Sequence, residues 1–198
     1  MADAMFGLTP AERDLGAAGG FTTSLREDGQ SKTPVTYLDF TVDANPLFSS
    51  LAELTPGPFD FVGVIQDAWP IETVAAIQRL LGEASGDLPD GRVSLYVCPE
   101  CGDLGCGAVT ARLLLDAEAV TWQAIGCQTD YDESASALGE DGVFPDISFN
   151  RDSYEQVLRQ ERARVARAID TFEYPYQHDR RLRRERRARA IRRLFPHR

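Results

Sequence analysis

Four cysteines, Cys98, Cys101, Cys106 and Cys127, are spaced C-x2-C-x4-C-x20-C. Thiolates are soft metal ligands and good nucleophiles, so this spacing admits three chemistries. The first is a single structural zinc held by all four residues. Zinc takes tetrahedral thiolate ligands at about 2.3 Å, and four of them leave no position open for a substrate. The second is redox chemistry at the Cys98–Cys101 pair, which needs a helix start to lower a thiol pKa. Gly102 and Gly105 oppose a helix there, and Asp103 raises rather than lowers a neighbouring thiol. The third involves no reaction. A glycine-rich hairpin packs its thiols as small hydrophobes, and Asp103 bonds the amides of the turn.

The cysteines can meet only if the flanking elements bring them together. Residues 92–98 (RVSLYVC) alternate as a strand, and residues 108–115 and 119–127 read as two more strands joined near residue 117. The first of those two also suits a helix by propensity, so both remain open. On the strand reading, a turn at 117 sets Cys127 opposite residue 107, and all four sulfurs gather at one end of the sheet. A one-residue slip would turn Cys127 to the other face.

Elsewhere, residues 35–42 (VTYLDFTV) and 59–65 (FDFVGVI) read as strands. Asn45-Pro46 opens a short helix to about Glu53, with Asn45 as its cap. Trp69-Pro70 leads into a helix over 71–81, with Ile71, Val74, Ile77 and Leu81 facing inward. Residues 128–149 are acidic and loop-like. A long helix over about 152–172 follows, capped by Asn150 or Asp152 and buried along Tyr154, Leu158, Val165, Ile169 and Phe172. The pattern is that of an α+β fold with a mostly antiparallel sheet and flanking helices. Residues 1–32 read as a flexible arm, although Thr9-Pro10-Ala11-Glu12 has the spacing of a helix start over 10–15. Residues 33–173 make the domain and 174–198 a basic tail, with one further helix over 179–194.

Charge is divided unevenly over the 198 residues. Residues 1–149 hold 24 acids and 6 bases, whereas residues 150–198 hold 7 acids and 15 bases. The tail carries ten arginines, among them Arg180, Arg181, Arg183, Arg184, Arg186, Arg187, Arg192 and Arg193. An acidic body with a basic tail points to an acidic partner, either a protein surface or a nucleic acid whose counterions the guanidinium groups displace. The tail docking on its own acidic body, or on that of another copy in a homo-oligomer, is the competing expectation. Lys32 is the only lysine, so the arginine content also fits a coding bias.

Several chemistries lack their residues. The only histidines, His178 and His197, sit in the tail, so the body has no Ser-His-Asp, Cys-His or HExxH set. No phosphate loop with its lysine is present. The acidic clusters Asp130/Asp132/Glu133 and Glu140/Asp141 read as solvated loop charge, and Trp69 and Trp122 as core. No apolar run reaches the roughly 18 residues a membrane helix needs, and residues 1–14 do not read as a secretory signal, so a cytoplasmic location is expected.

The segment LYVCPECGDLGCGAVTARL resembles the signature of an uncharacterised bacterial family, approximately L-Y-V-C-P-E-C-G-D-[LI]-G-C-G-A-[IV]-T. A later F-x-F-[ND]-R-x-x-Y segment of that family is matched by residues 147–154, with Ile147 in place of Phe. The resemblance covers about residues 92–158. It implies a shared fold and transfers no catalytic residue, since the family has no established reaction and only a loose oxidoreductase label. Cys127 is not part of its signature. Together these features lead to the expectation of a non-catalytic cytoplasmic binding or assembly module with an Arg-rich contact segment. The alternatives are a thiol-dependent oxidoreductase using the CxxC pair and an acidic immunity-type protein that binds a basic toxin.

Overall fold

The computed structural model describes residues 3–13, 34–55, 60–136, 138, 144–173 and 184. They form an α+β fold with antiparallel sheets and a long C-terminal helix. The five-stranded sheet runs β4 (Val62–Gly63), β5 (Val93–Val97), β6 (Ala108–Leu115), β7 (Ala119–Gln128) and β8 (Ile147–Asn150), in that spatial order. The second sheet is β1 (Phe6–Arg13), β2 (Val35–Val42) and the two-residue β3 (Asn45–Pro46). Two bridges join these sheets at both margins. Leu38 N donates to Ile65 O at 2.8 Å, and Ala4 N donates to Ser148 O at 2.7 Å. The strands therefore close into a ring, which leaves few unpaired edges.

Aromatic rings fill the interior. Phe40, Tyr96, Trp122, Phe149 and Tyr154 are fully buried, with Phe6 beside them. Trp122 meets Phe40 edge-on at 5.2 Å between centroids and Phe149 at 5.2 Å, geometries that aromatic quadrupoles favour. The polar tips are satisfied: Trp122 Nε1 donates to the Tyr154 hydroxyl at 3.2 Å, and that hydroxyl donates to Leu80 O at 3.0 Å. Tyr154 is carried by α3 (Arg151–Ile169), so this pair ties α3 to the end of α2 (Pro70–Leu80).

Several elements depart from the pattern reading. Phe6–Arg13, which falls within the expected arm, is a full strand paired with β2 rather than the start of a helix. It lies at the margin of its three-stranded sheet, the place where a strand tolerates a residue such as Pro10 without an N–H to offer. Asn45 does not cap α1 (Leu47–Leu54). Pro46 precedes that helix, and Asn45 instead donates to Asp43 O. The strand expected over 59–65 is ordered only as Val62–Gly63 and a bridge at Ile65, with 56–59 outside the described residues.

On α2 the buried positions are Pro70, Thr73, Ile77 and Leu80, and Ile71 is exposed. Thr73 enters this stripe because its hydroxyl is satisfied locally. It accepts from Gln66 N at 2.8 Å and donates to Gln66 O at 2.8 Å. The acidic stretch before α3 ends in strand β8, and Asn150 caps α3 by accepting from Ser153 N at 3.1 Å. Residues 108–115 are strand. Among the described residues, no helix is long and apolar enough to cross a membrane.

Candidate metal centre

β5 is buried along all five residues, and Cys98, the residue that follows it, is the first to approach the surface. Its carbonyl accepts from Gly102 N at 2.9 Å and closes a turn around Cys101. Gly102 sits at φ +65°, in the left-handed region that favours glycine. Beyond it, Asp103 organises the rest of the loop. Its backbone N–H donates to Cys101 Sγ at 3.4 Å, and its carboxylate accepts from Gly105 N at 2.7 Å. That second bond caps a single 3-10 turn, Leu104–Cys106. Gly107, at φ +98°, then turns the chain into β6.

Three sulfurs converge as a result. The Sγ atoms of Cys98, Cys101 and Cys106 all lie within 4.8 Å of one another, and those of Cys101 and Cys106 are 3.5 Å apart. Thiolates around a tetrahedral zinc at about 2.3 Å stand about 3.8 Å from each other. The backbone therefore sets this trio close to a metal-binding arrangement. Cys98 is half-buried, and Cys101 and Cys106 are exposed. The Cys106 thiol is pushed up to about 11, first by its hydrogen bond with Cys101 and then by the charge of Cys101 and Cys98. That crowding favours the neutral thiol at Cys106, so a metal bound there would displace its proton.

Cys127 stands outside the trio, which corrects the four-cysteine set. It pairs with Val109 rather than residue 107. Two one-residue offsets add: the turn pairs Leu115 with Val120, one position beyond a pivot at residue 117, and a bulge between Thr110 and Arg112, opposite Ala124 at φ +50°, supplies the second. The buried Arg92 sits behind the bulge, with Nη2 donating to Thr110 O at 2.9 Å and Ala124 O at 2.5 Å, and Nε to Thr110 Oγ1 at 2.9 Å. The shifted register packs Cys127 against the core, where burial raises its pKa. No helix runs on from Cys101, so the element that would activate a redox CxxC is missing.

Beside the trio runs a groove of about 400 Å³ between α2 and the sheet, with Cys98, Cys101 and Gly102 at one end. Ser94 and Trp69 line it, and the sequence pattern marked neither as functional. A bulge between Ser94 and Tyr96 sets Ser94 and Val97 toward the groove, while Tyr96 reaches the interior and donates to Asp39 at 2.5 Å. Ser94 is 4% exposed, and its hydroxyl has no hydrogen-bond partner among the described residues. Trp69 is 42% exposed at the entrance to α2, not core; only Trp122 is buried.

Arg180, Arg181, Arg183, Arg186, Arg187, Arg192 and Arg193 lie outside the described residues; Arg184 is described and exposed. The arginines of α3 do meet the acidic body: Arg162 pairs with Glu83, and Arg164 with Asp67 at 2.5 Å. Comparison with known protein families, curated proteins and solved structures finds no match for this chain.

Proposed function

We propose that this protein is a non-catalytic cytoplasmic binding and assembly module. One zinc, held by Cys98, Cys101 and Cys106, braces its hairpin, and its Arg-rich C-terminal segment engages an acidic partner. The observation that carries this reading is the thiol trio, formed by backbone bonds and glycine turns. The partner's chemistry follows from the charge division, with ten arginines in 174–198 beside an acidic body. Ion pairs from α3 to Glu83 and Asp67 support the same preference of guanidinium for acidic surfaces.

The test uses two probes, a double-stranded DNA oligonucleotide and a polyglutamate peptide, against the full chain and an Arg183→Ala/Arg184→Ala/Arg186→Ala/Arg187→Ala variant. The full chain binds at least one probe, with affinity falling steeply as salt rises. The variant loses on the order of 10-fold or more, since each screened phosphate contact weighs on the salt slope. Equal binding by both proteins, or none by either, removes the partner reading.

A thiol-dependent oxidoreductase is the second reading, favoured by the 3.5 Å approach of the exposed Cys101 and Cys106 sulfurs. It requires a metal-free trio with at least one freely reactive thiolate. Zinc content and thiol reactivity on the same sample therefore separate the two.

A further inference from the structure

The Cys101 and Cys106 sulfurs stand 3.5 Å apart, and both side chains are exposed. A disulfide holds its sulfurs about 2.04 Å apart, so closing this pair asks for a movement of about 1.5 Å. The loop can supply it. The two cysteines are five positions apart, with Gly102 and Gly105 between them. The Cys101 sulfur is held by a 3.4 Å bond from Asp103 N, and sulfur is a weak acceptor that gives up such a bond at little cost. The other two cysteines are set apart. Cys98 is half-buried at the end of β5, with its carbonyl tied to Gly102 N at 2.9 Å, and Cys127 is half-buried on β7 against the core.

We propose that Cys101 and Cys106 form a reversible oxidation site, which a small peroxide closes to a disulfide. In the first step one thiol sulfur attacks a peroxide oxygen. The O–O bond breaks, an S–OH bond forms and a water leaves. In the second step the other sulfur attacks the sulfenic sulfur. The S–S bond forms, the S–O bond breaks and a second water leaves. Two thiols and one hydrogen peroxide thus become one disulfide and two waters, the sulfurs giving up two electrons and the peroxide taking them. A thiol reductant reopens the bridge by exchange. The chain itself is modified and no substrate is turned over, so this site goes beyond the binding reading and differs from a thiol-dependent enzyme.

One consequence rests on the zinc reading above. Zinc is held by thiolates, and the bridge leaves Cys98 alone of the three. Metal and disulfide therefore exclude each other: zinc slows closure, and the closed hairpin takes up no zinc until it is reduced.

The test treats the reduced full chain with a small molar excess of hydrogen peroxide, once in chelator and once with zinc. Trypsin, cutting after Arg92 and Arg112, places Cys98, Cys101 and Cys106 on one peptide, 93–112, and Cys127 on another. In chelator, peptide 93–112 loses two hydrogens. Iodoacetamide then labels Cys98 and Cys127 but neither Cys101 nor Cys106, and dithiothreitol restores all four thiols. Zinc lowers the yield of the bridge at the same dose. In Cys106→Ser, Cys101 stops at the sulfenic acid and is captured by dimedone, whereas Cys98→Ser still closes the bridge. A bridge that includes Cys98 or Cys127 in the wild type overturns the site, as does oxidation of Cys101 and Cys106 to higher acids with no bridge. A Cys101–Cys106 bridge in a chain that never takes up zinc upholds the site and removes the zinc reading, together with the exclusion that rests on it. Equal zinc uptake by the oxidised and reduced chains overturns the exclusion.

Discussion

The aromatic interior and the CPECGDLGCG hairpin are held together by different forces. In the interior, rings from β1, β2, β5, β7, β8 and α3 are withdrawn from water, and each polar tip finds a partner. The hairpin buries little. Cys101, Gly102 and Asp103 are exposed, and the loop's shape comes from local bonds to Asp103 and from glycines in left-handed or extended-positive conformations. Burial accounts for the first region without any ligand. For the second, local bonds bring three sulfurs together at the surface, close enough to bind a metal ion.

The largest expected effect lies in the interior. Trp122→Ala removes the ring at the centre of the cluster and costs about 3–5 kcal/mol in a urea melt, while zinc per folded chain stays unchanged. Cys101→Ser does the reverse. It loses the zinc, yet melts within about 1 kcal/mol of wild type when both are held in chelator, as an exposed substitution should. A drop as large as that of Trp122→Ala would erase the contrast.

Gly107→Ala sharpens it further. The position has open space for a Cβ but sits at φ +98° and ψ 151°, so the cost is backbone strain of about 1–3 kcal/mol, read as weaker zinc binding and a lower melting midpoint. Asp103→Ala removes one capping bond, worth about 0.5–1.5 kcal/mol, and weakens zinc binding by about 2–10-fold in a competition assay.

The finest test is a slope with pH. Burial pushes the Asp39 carboxyl above its ordinary 3.8, opposed by hydrogen bonds from Tyr96 and from the amides of Phe48 and Phe40. The folded chain therefore holds that proton more tightly than the unfolded chain. Stability is greatest below 3.8, falls as pH climbs through the raised value, and carries the full cost above it. Asp39→Asn keeps an acceptor for Tyr96 and lacks this slope, so urea midpoints of the two proteins must converge as pH is lowered.

Alternation alone announces β2 and the β5–β7 meander, because each buries one face or both. It fails where a polar group is satisfied inside. Thr73 displaces the apolar stripe of α2 by one residue, and Arg92 satisfies the carbonyls of a bulge that shifts the register at Cys127 by one residue. β1 is concealed by Pro10 within a spacing that imitates a helix start. In the site itself, the CxxC turn, the glycines and the role of Asp103 follow from residue types, and the trio is visible in C-x2-C-x4-C. Membership of Cys127 depends on register, which hydrophobic pattern does not set at a bulge. The groove lined by Ser94 and Trp69 arises from a second bulge and has no signature in the chain.

Elemental analysis of the purified chain, combined with thiol titration before and after chelation, bears most directly on the hairpin as a metal centre. One zinc per chain, with three thiols that react only once a chelator is added, is the predicted result. A metal-free protein that takes up no zinc on reconstitution, with Cys98, Cys101 and Cys106 reactive from the outset, would contradict it.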